Sequence, residues 1–217
     1  LGIIFSLYFK PNINFISRKV STIPLQIGIV ILGTTINLSF ILNINPVYIV
    51  WICLFVLFSF FGGLIIGRVL KLNSNMTILL SSGAAICGGT AMVAVAPIIK
   101  AKPSELIVSL TIVFMLNAIA IVFFPMIATY LQMGNEEFGA FAALAIHDTS
   151  SVVGAAIQYS PESVEMASVL KLGRTLWLIP LLFVLNYKFN KGIGSSSYPK
   201  FIVFFVMAII LNTIFNF

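Results

Sequence analysis

The sequence predicts an all-α, polytopic membrane bundle with discontinuous or re-entrant helices. Three observations carry this. First, 60% of the 217 residues are apolar and only 8% charged, where a soluble domain runs about 45–50% and about 25%. Mean hydropathy is +1.12, far more apolar surface than one water-soluble core absorbs. Second, the apolar residues gather into runs long enough for spans of roughly 20 residues, joined by short loops. Third, two of those runs are crowded with small and polar residues and look unlike lipid-facing helices. This composition excludes a soluble enzyme, a disulfide-stapled secreted module and a disordered tail.

A single transmembrane domain over residues 1–217 is expected, with about seven to eight membrane segments at roughly 25–30 residues each. The run 1–9 is about half a span and lacks the charged start and cleavage site of a signal peptide. A run directly precedes Phe217 as well, so the chain reads as truncated at both ends. Between them, apolar segments run from about Pro24 to Leu42, Pro46 to Leu70, Met76 to Ile99, Glu105 to Leu131, Phe138 to Tyr159, Val164 to Tyr187 and Phe201 to Phe215. Pro11, Pro46, Pro103, Pro161, Gly192, Gly194 and Pro199 punctuate the boundaries.

The segments from Pro46, Glu105 and Phe201 are ordinary lipid-facing spans, rich in Phe, Leu, Ile and Val. Those from Met76 and Phe138 are not. In Ser81–Ala96, SSGAAICGGTAMVAVA, twelve of sixteen residues are Gly, Ala, Ser, Thr or Cys. In Gly139–Ala156, GAFAALAIHDTSSVVGAA, eleven of eighteen are small, and a His-Asp pair sits in the middle. Such residues let helices approach closely and let a helix break while its freed backbone groups stay satisfied. Both segments therefore read as broken helices or re-entrant hairpins inside the bundle. The segment from Pro24, interrupted by Gly33, Thr34, Thr35 and Asn37, is a weaker third candidate.

Loop charge bears on the topology. Net charge is +6, and the loop cations order the chain in the membrane rather than mark a nucleic-acid partner, which is not expected. If both small-residue segments crossed fully, Lys10, Arg18, Lys19, Arg68, Lys71, Lys188, Lys191 and Lys200 would share one side, with Lys100 and Lys102 opposite. If both re-enter, all ten loop cations fall on one side, the cytoplasmic one. Glu136, Glu137, Glu162 and Glu165 then fall on the other. Re-entry from opposite sides also suits an inverted-repeat transporter bundle, so the charge pattern favours re-entry.

Several residues are costly at membrane depth and so carry the chemistry. His147 and Asp148 sit mid-segment. A histidine titrates near physiological pH, so the pair is a candidate proton relay; alternatively, Asp148 caps a second half-helix, as Thr149 or Ser150 also would. Lys171 and Arg174 share a helical face and together offer an anion site; the alternative is a structural ion pair with Asp148 or Glu165. Ser81, Ser82, Gly83, Cys87, Gly88, Gly89 and Thr90 resemble an anion cradle at a half-helix start, or simply close packing of small residues. Cys87 reads as a packing residue. No spacing of the two cysteines suggests a metal or disulfide framework. Metal ligands and cofactors are not expected, and no phosphate-binding P-loop signature is present.

The motifs SSGAAICGGTAMVAVAPIIKAKPSE, FGAFAALAIHDTSSVVGAAIQYSPE and VLKLGRTLWLIPLL, in this order and spacing, resemble the YeiH-type sulfate exporter family, and LQIGIVILGTTINLSF resembles its earlier Leu-rich span. The family's Ser-Ile-Cys-Gly-like motif stands here as Ala85-Ile86-Cys87-Gly88, with Ala85 in place of a hydroxyl residue. Its His-acid motif stands as His147-Asp148. The resemblance implies a longer protein of ten or eleven spans, in which the run 1–9 is the end of an earlier helix and about two further spans follow. It also implies kinship with inverted-repeat antiporters and symporters.

The expected function is a secondary transporter, not an enzyme, exporting a small anion across the cytoplasmic membrane, with sulfate or a related sulfur oxyanion first. Substrate contacts are expected from Ser81, Ser82, Cys87, Gly88, Gly89, Thr149, Ser150, Lys171 and Arg174, and proton coupling from His147 and Asp148. The partners expected are the anion and the lipid bilayer, and a homo-oligomer stays open. Two alternatives remain: an intramembrane enzyme pairing His147 with Ser81, Ser82 or Cys87 as nucleophile, and a channel or non-transporting scaffold.

Overall fold

The structure is a computed structural model that describes residues 46–189 and 200–215, together with Ile27 and Ile31. The apolar run 1–9 and, apart from Ile27 and Ile31, the run Pro24–Leu42 lie outside the described residues, as do Lys10, Arg18, Lys19 and Lys191. The described residues form helices α1 (Pro46–Val69), α2 (Ser74–Ala85), α3 (Gly89–Val95), α4 (Pro103–Tyr130), α5 (Asn135–Ala145), α6 (Thr149–Tyr159), α7 (Ser163–Leu176), α8 (Leu178–Phe189) and α9 (Lys200–Phe215). No strand occurs among them. Three stretches of the described residues are long and apolar enough to cross a membrane: Val47–Val69, Pro103–Tyr130 and Ser163–Phe189. The chain is an all-α, multi-pass membrane protein.

Several helix boundaries have a local chemical cause. The Asn73 side chain accepts the Asn75 N–H (3.2 Å) and starts α2. Pro103 opens α4, where its missing N–H costs nothing, and Glu105 reaches back to the Lys102 N–H (2.8 Å). Glu137 does the same for the Gly134 N–H (2.9 Å) at α5. At α6 the Asp148 carboxylate accepts the Ser151 N–H (3.1 Å). These caps satisfy donors that a helix start leaves unpaired. Pro97 cannot continue α3, which ends at Val95, because it has no N–H to donate one turn back.

The segment from Val164 to Tyr187, expected as one helix, is divided at Trp177 between α7 and α8. Pro180 is the reason. It cannot donate to the Leu176 carbonyl, and its ring crowds that oxygen. The breaks in the two small-residue segments fall at Ile86–Gly88 and at Ile146–Asp148. They fall within Ser81–Gly89 and at the start of His147–Ser151, the stretches whose small and polar residues lead one to expect irregular backbone, while Ser81–Ala85 and Thr149–Ser151 stay helical.

Both broken segments return to the end from which they enter. Asn73 and Asn75, at the start of α2, donate to the Glu105 carboxylate at the start of α4 (2.6 and 3.2 Å). The chain thus runs inward along α2, turns at Ile86–Gly88 and comes back along α3 to the same end. At the far end of α4, the Tyr159 hydroxyl at the close of α6 donates to the Met133 carbonyl just before α5. The second hairpin therefore enters from the opposite end, and α4 crosses between the two.

Close packing fixes the helix directions. A Cβ at Gly63 would lie 2.7 Å from the Ser81 Oγ, and Gly67 abuts Thr77, so α1 runs antiparallel to α2 in near-backbone contact. A Cβ at Gly139 would lie 2.5 Å from the Ser163 carbonyl oxygen, which sets α5 parallel to α7. Gly173 meets Ile52, and Arg174 lies over the Phe55 ring at 4.9 Å, so α7 runs parallel to α1. By these directions Arg68, Lys71, Lys100, Lys102 and Lys188 gather at one end of the bundle, and Glu136 and Glu162 at the other. Loop charge points to the same arrangement. The core is built from Leu79, Ile86, Met92, Phe138, Ile146 and Leu178 with many alanines, all buried. The outward faces of α1 and α4 carry Phe58, Ile65, Phe114, Met115, Ile119 and Phe123, all exposed to the apolar surroundings a bilayer provides.

Candidate functional site: the meeting point of two opposed hairpins

Depth follows from helix length. The twelve residues of α2 and eleven of α5 rise about 18 and 16 Å at 1.5 Å each, roughly half the ~30 Å hydrocarbon core. Both hairpin tips thus stand near mid-membrane. They touch there: a Cβ on Gly88 would lie 3.3 Å from the His147 Cβ and 3.4 Å from Val113 of α4. Gly88 holds φ 65°, ψ −119°, a conformation open essentially to glycine alone. The first turn depends on it, since any side chain would be both strained and in contact with the opposing tip.

Arg174 binds the two tips together. It is fully buried. Its Nε donates to the Ala85 carbonyl (3.2 Å), and its Nη2 to Ala84 and Ala85 (2.7 and 3.0 Å). Its Nη1 donates to Ala143 and Leu144 (2.6 and 2.8 Å). A guanidinium carries five N–H donors, and these five bonds engage them all. The acceptors are carbonyls at the C-terminal ends of α2 and α5, groups that a helix end leaves without partners and that carry partial negative charge. Lys171, also fully buried, donates from Nζ to the Ile146 carbonyl (2.8 Å). Neither cation draws on Glu165, which is exposed at the start of α7. Their partners are main-chain oxygens rather than the carboxylates considered from sequence.

Asp148 serves as a cap. One of its carboxylate oxygens accepts the Ser151 N–H and hydroxyl (both 3.1 Å) and the Ser150 hydroxyl. The His147 N–H donates to Asn117 Oδ1 (3.1 Å) from the middle of α4. Cys87, Gly88 and Gly89 lie buried at the first tip, and Thr149 is half-buried at the second. The tip residues Cys87, Gly88, His147, Asp148 and Thr149 thus converge with Lys171 and Arg174.

The two serines of the first motif are spent elsewhere. Ser81 donates to the Thr77 carbonyl (2.7 Å) and packs against Gly63 of α1. Ser82 donates to the Leu79 carbonyl (2.9 Å). Both hydroxyls donate within α2, and Ser150 stands exposed with its hydroxyl on Asp148. Asn117 is the residue the sequence reading passed over. It is 3% exposed and lies at the centre of a predominantly apolar span. A lone amide in such a run was the available signal, since polar groups at membrane depth are seldom idle. No cluster of potential metal ligands occurs among the described residues.

Opposed broken helices meeting at buried cations define a multi-pass membrane protein with a polar centre enclosed by re-entrant hairpins. The chain belongs to the family described as conserved hypothetical protein 698, whose profile matches residues 1–217; the YeiH-type proteins it resembles belong to the same family. It is 40% identical over 219 residues to a UPF0324 membrane protein of Porphyromonas gingivalis, a match covering 98% of this chain and 65% of that protein. It is 41% identical over 214 residues to one from Bacteroides thetaiotaomicron, with the same coverage. A third, from Bdellovibrio bacteriovorus, is 40% identical over 195 residues, 87% of this chain and 60% of its own length. The chain thus spans about 65% of the length of the first two of these relatives. No solved structure matches it.

Proposed function

We propose that the protein is a secondary transporter that moves a small anion, sulfate or a related sulfur oxyanion, outward across the cytoplasmic membrane. The observation that carries this reading is the tip-to-tip meeting of two opposed re-entrant hairpins around Lys171. Irregular backbone at membrane depth is tolerated where it is buried in protein or lines a cavity. Half-helices meeting at mid-membrane are how secondary transporters build a site reachable in turn from each side. Arg174 and Lys171 stand there against the single carboxylate of Asp148. The carbonyl ends of α2 and α5 engage Arg174, so the ammonium of Lys171 is the charge left for an anion. In this reading Arg174 holds the tips in register, while Lys171, Gly88 and the start of α6 face the substrate. His147 and Asp148 couple protons to the movement. The protein acts as a transporter rather than an enzyme, needs no cofactor, and works in the lipid bilayer alone or as a homo-oligomer.

The test uses the full-length protein in proteoliposomes. Labelled sulfate is expected to show saturable counterflow that an imposed proton gradient alters. Flux that stays linear with concentration would indicate a channel instead, and the absence of any anion flux would overturn the reading.

A further inference from the structure

Two buried polar atoms at the hairpin crossing have no hydrogen-bond partner among the described residues: Asn117 Nδ2 and His147 Nδ1. They are not independent. The His147 N–H donates to Asn117 Oδ1 at 3.1 Å, so both orphan atoms lie within a few bond lengths of one hydrogen bond. That bond also fixes the orientation of the amide. Oδ1 is the end that accepts, and Nδ2 is therefore the donor left unpaired. Leaving a buried donor without a partner carries a real cost, and native structures seldom bear it without reason. Lys171 Nζ sits one residue away, on the Ile146 carbonyl, which places positive charge beside the pair. Gly88 packs directly against His147, since a Cβ there would lie 3.3 Å from the His147 Cβ.

We propose that Asn117 and His147 form the oxygen-recognising subsite of the transported anion, with one oxygen of a tetrahedral oxyanion accepting from Asn117 Nδ2–H and His147 Nδ1–H together. This rests on the transport reading above and deepens it. Lys171 supplies charge, which a halide would satisfy equally well. The paired neutral donors supply direction, which favours an acceptor oxygen. Asn117 is thus a specificity-determining residue on the helix that crosses between the two hairpins.

The experiment measures binding of sulfate and of chloride to the purified full-length protein. Asn117→Ala is expected to weaken sulfate binding about tenfold or more and to leave chloride binding near the wild-type value. Asn117→Asp keeps the oxygen that holds the His147 N–H while removing the donor, so it covers the case in which the alanine variant fails to fold. It is expected to lose sulfate binding more than chloride binding, which separates loss of the donor from repulsion of all anions by the added carboxylate. A measurement on the unmutated protein stands beside these. The chain has one histidine, and sulfate is expected to shift its Nδ1 resonance in histidine-labelled protein while chloride does not. An unmoved resonance at saturating sulfate, or variants with wild-type sulfate selectivity, would overturn the subsite and leave anion transport standing. Wild-type protein that binds neither anion would overturn both.

Discussion

Arg174 shows how a charge at membrane depth can be structural without a carboxylate. Its five hydrogen bonds reach four carbonyls on two half-helices. Hydrogen bonds to a charged donor are stronger than neutral ones, and buried acceptors stripped of their partner are costly. Arg174→Gln is therefore expected to destabilise the folded protein by about 3 kcal/mol or more. Arg174→Lys should lie between that variant and the wild type, because a point-like ammonium cannot span both helix ends as the planar fork does. Thermal unfolding in detergent checks both. A glutamine variant melting with the wild type would show that the clamp is dispensable, and would return Arg174 to the substrate.

At the scale of the element, each hairpin is tied at its foot as well as at its tip. The foot of the first is the Glu105 carboxylate, which gathers Asn73, Asn75 and the Lys102 N–H. The foot of the second is the Tyr159–Met133 bond. Tip and foot act at opposite ends of a short helix, so cutting one should free the arm locally without unfolding the bundle. Glu105→Ala is expected to speed amide exchange at the start of α2, around Asn75–Ile78, and to leave α7 unchanged. Exchange measured peptide by peptide reads this out. Unaltered protection in α2 would mean that its packing on α1, through Gly63 and Gly67, holds the arm unaided.

For the molecule as a whole, the consequence of two opposed hairpins is a sidedness that labelling can read. Lys71→Cys and Lys102→Cys should react with a membrane-impermeant maleimide from one side, and Glu136→Cys and Glu162→Cys from the other. The motivation is geometric, since the starts of α2 and α4 share the Glu105 contacts while α5 and the end of α6 meet at the far end of α4. If Lys71 and Lys102 proved accessible from opposite sides, the first hairpin would be a full span. The gathering of described cations at one end would then be lost as well.

Sequence alone determined the class of the protein and the two small-residue segments in which helices break. These properties are written in local terms. Apolar runs must enter lipid, small residues and glycine permit a break, and Asp148 caps a helix whatever surrounds it. Local terms also misplaced some roles. Ser81 and Ser82 looked like ligand donors, yet a hydroxyl in a buried helix bonds most readily to the carbonyl one turn back. Pro180 divided a helix that hydropathy ran together. Only the tertiary structure decided that both broken segments return to their own side, because that rests on contacts between residues far apart, Asn73 with Glu105 and Met133 with Tyr159. It likewise decided that Arg174 spends its donors on two helix ends, and that Asn117 meets His147 across thirty positions of chain. A side chain's partner is set by what packs beside it, and in a bundle those neighbours come from distant segments that no local pattern can name.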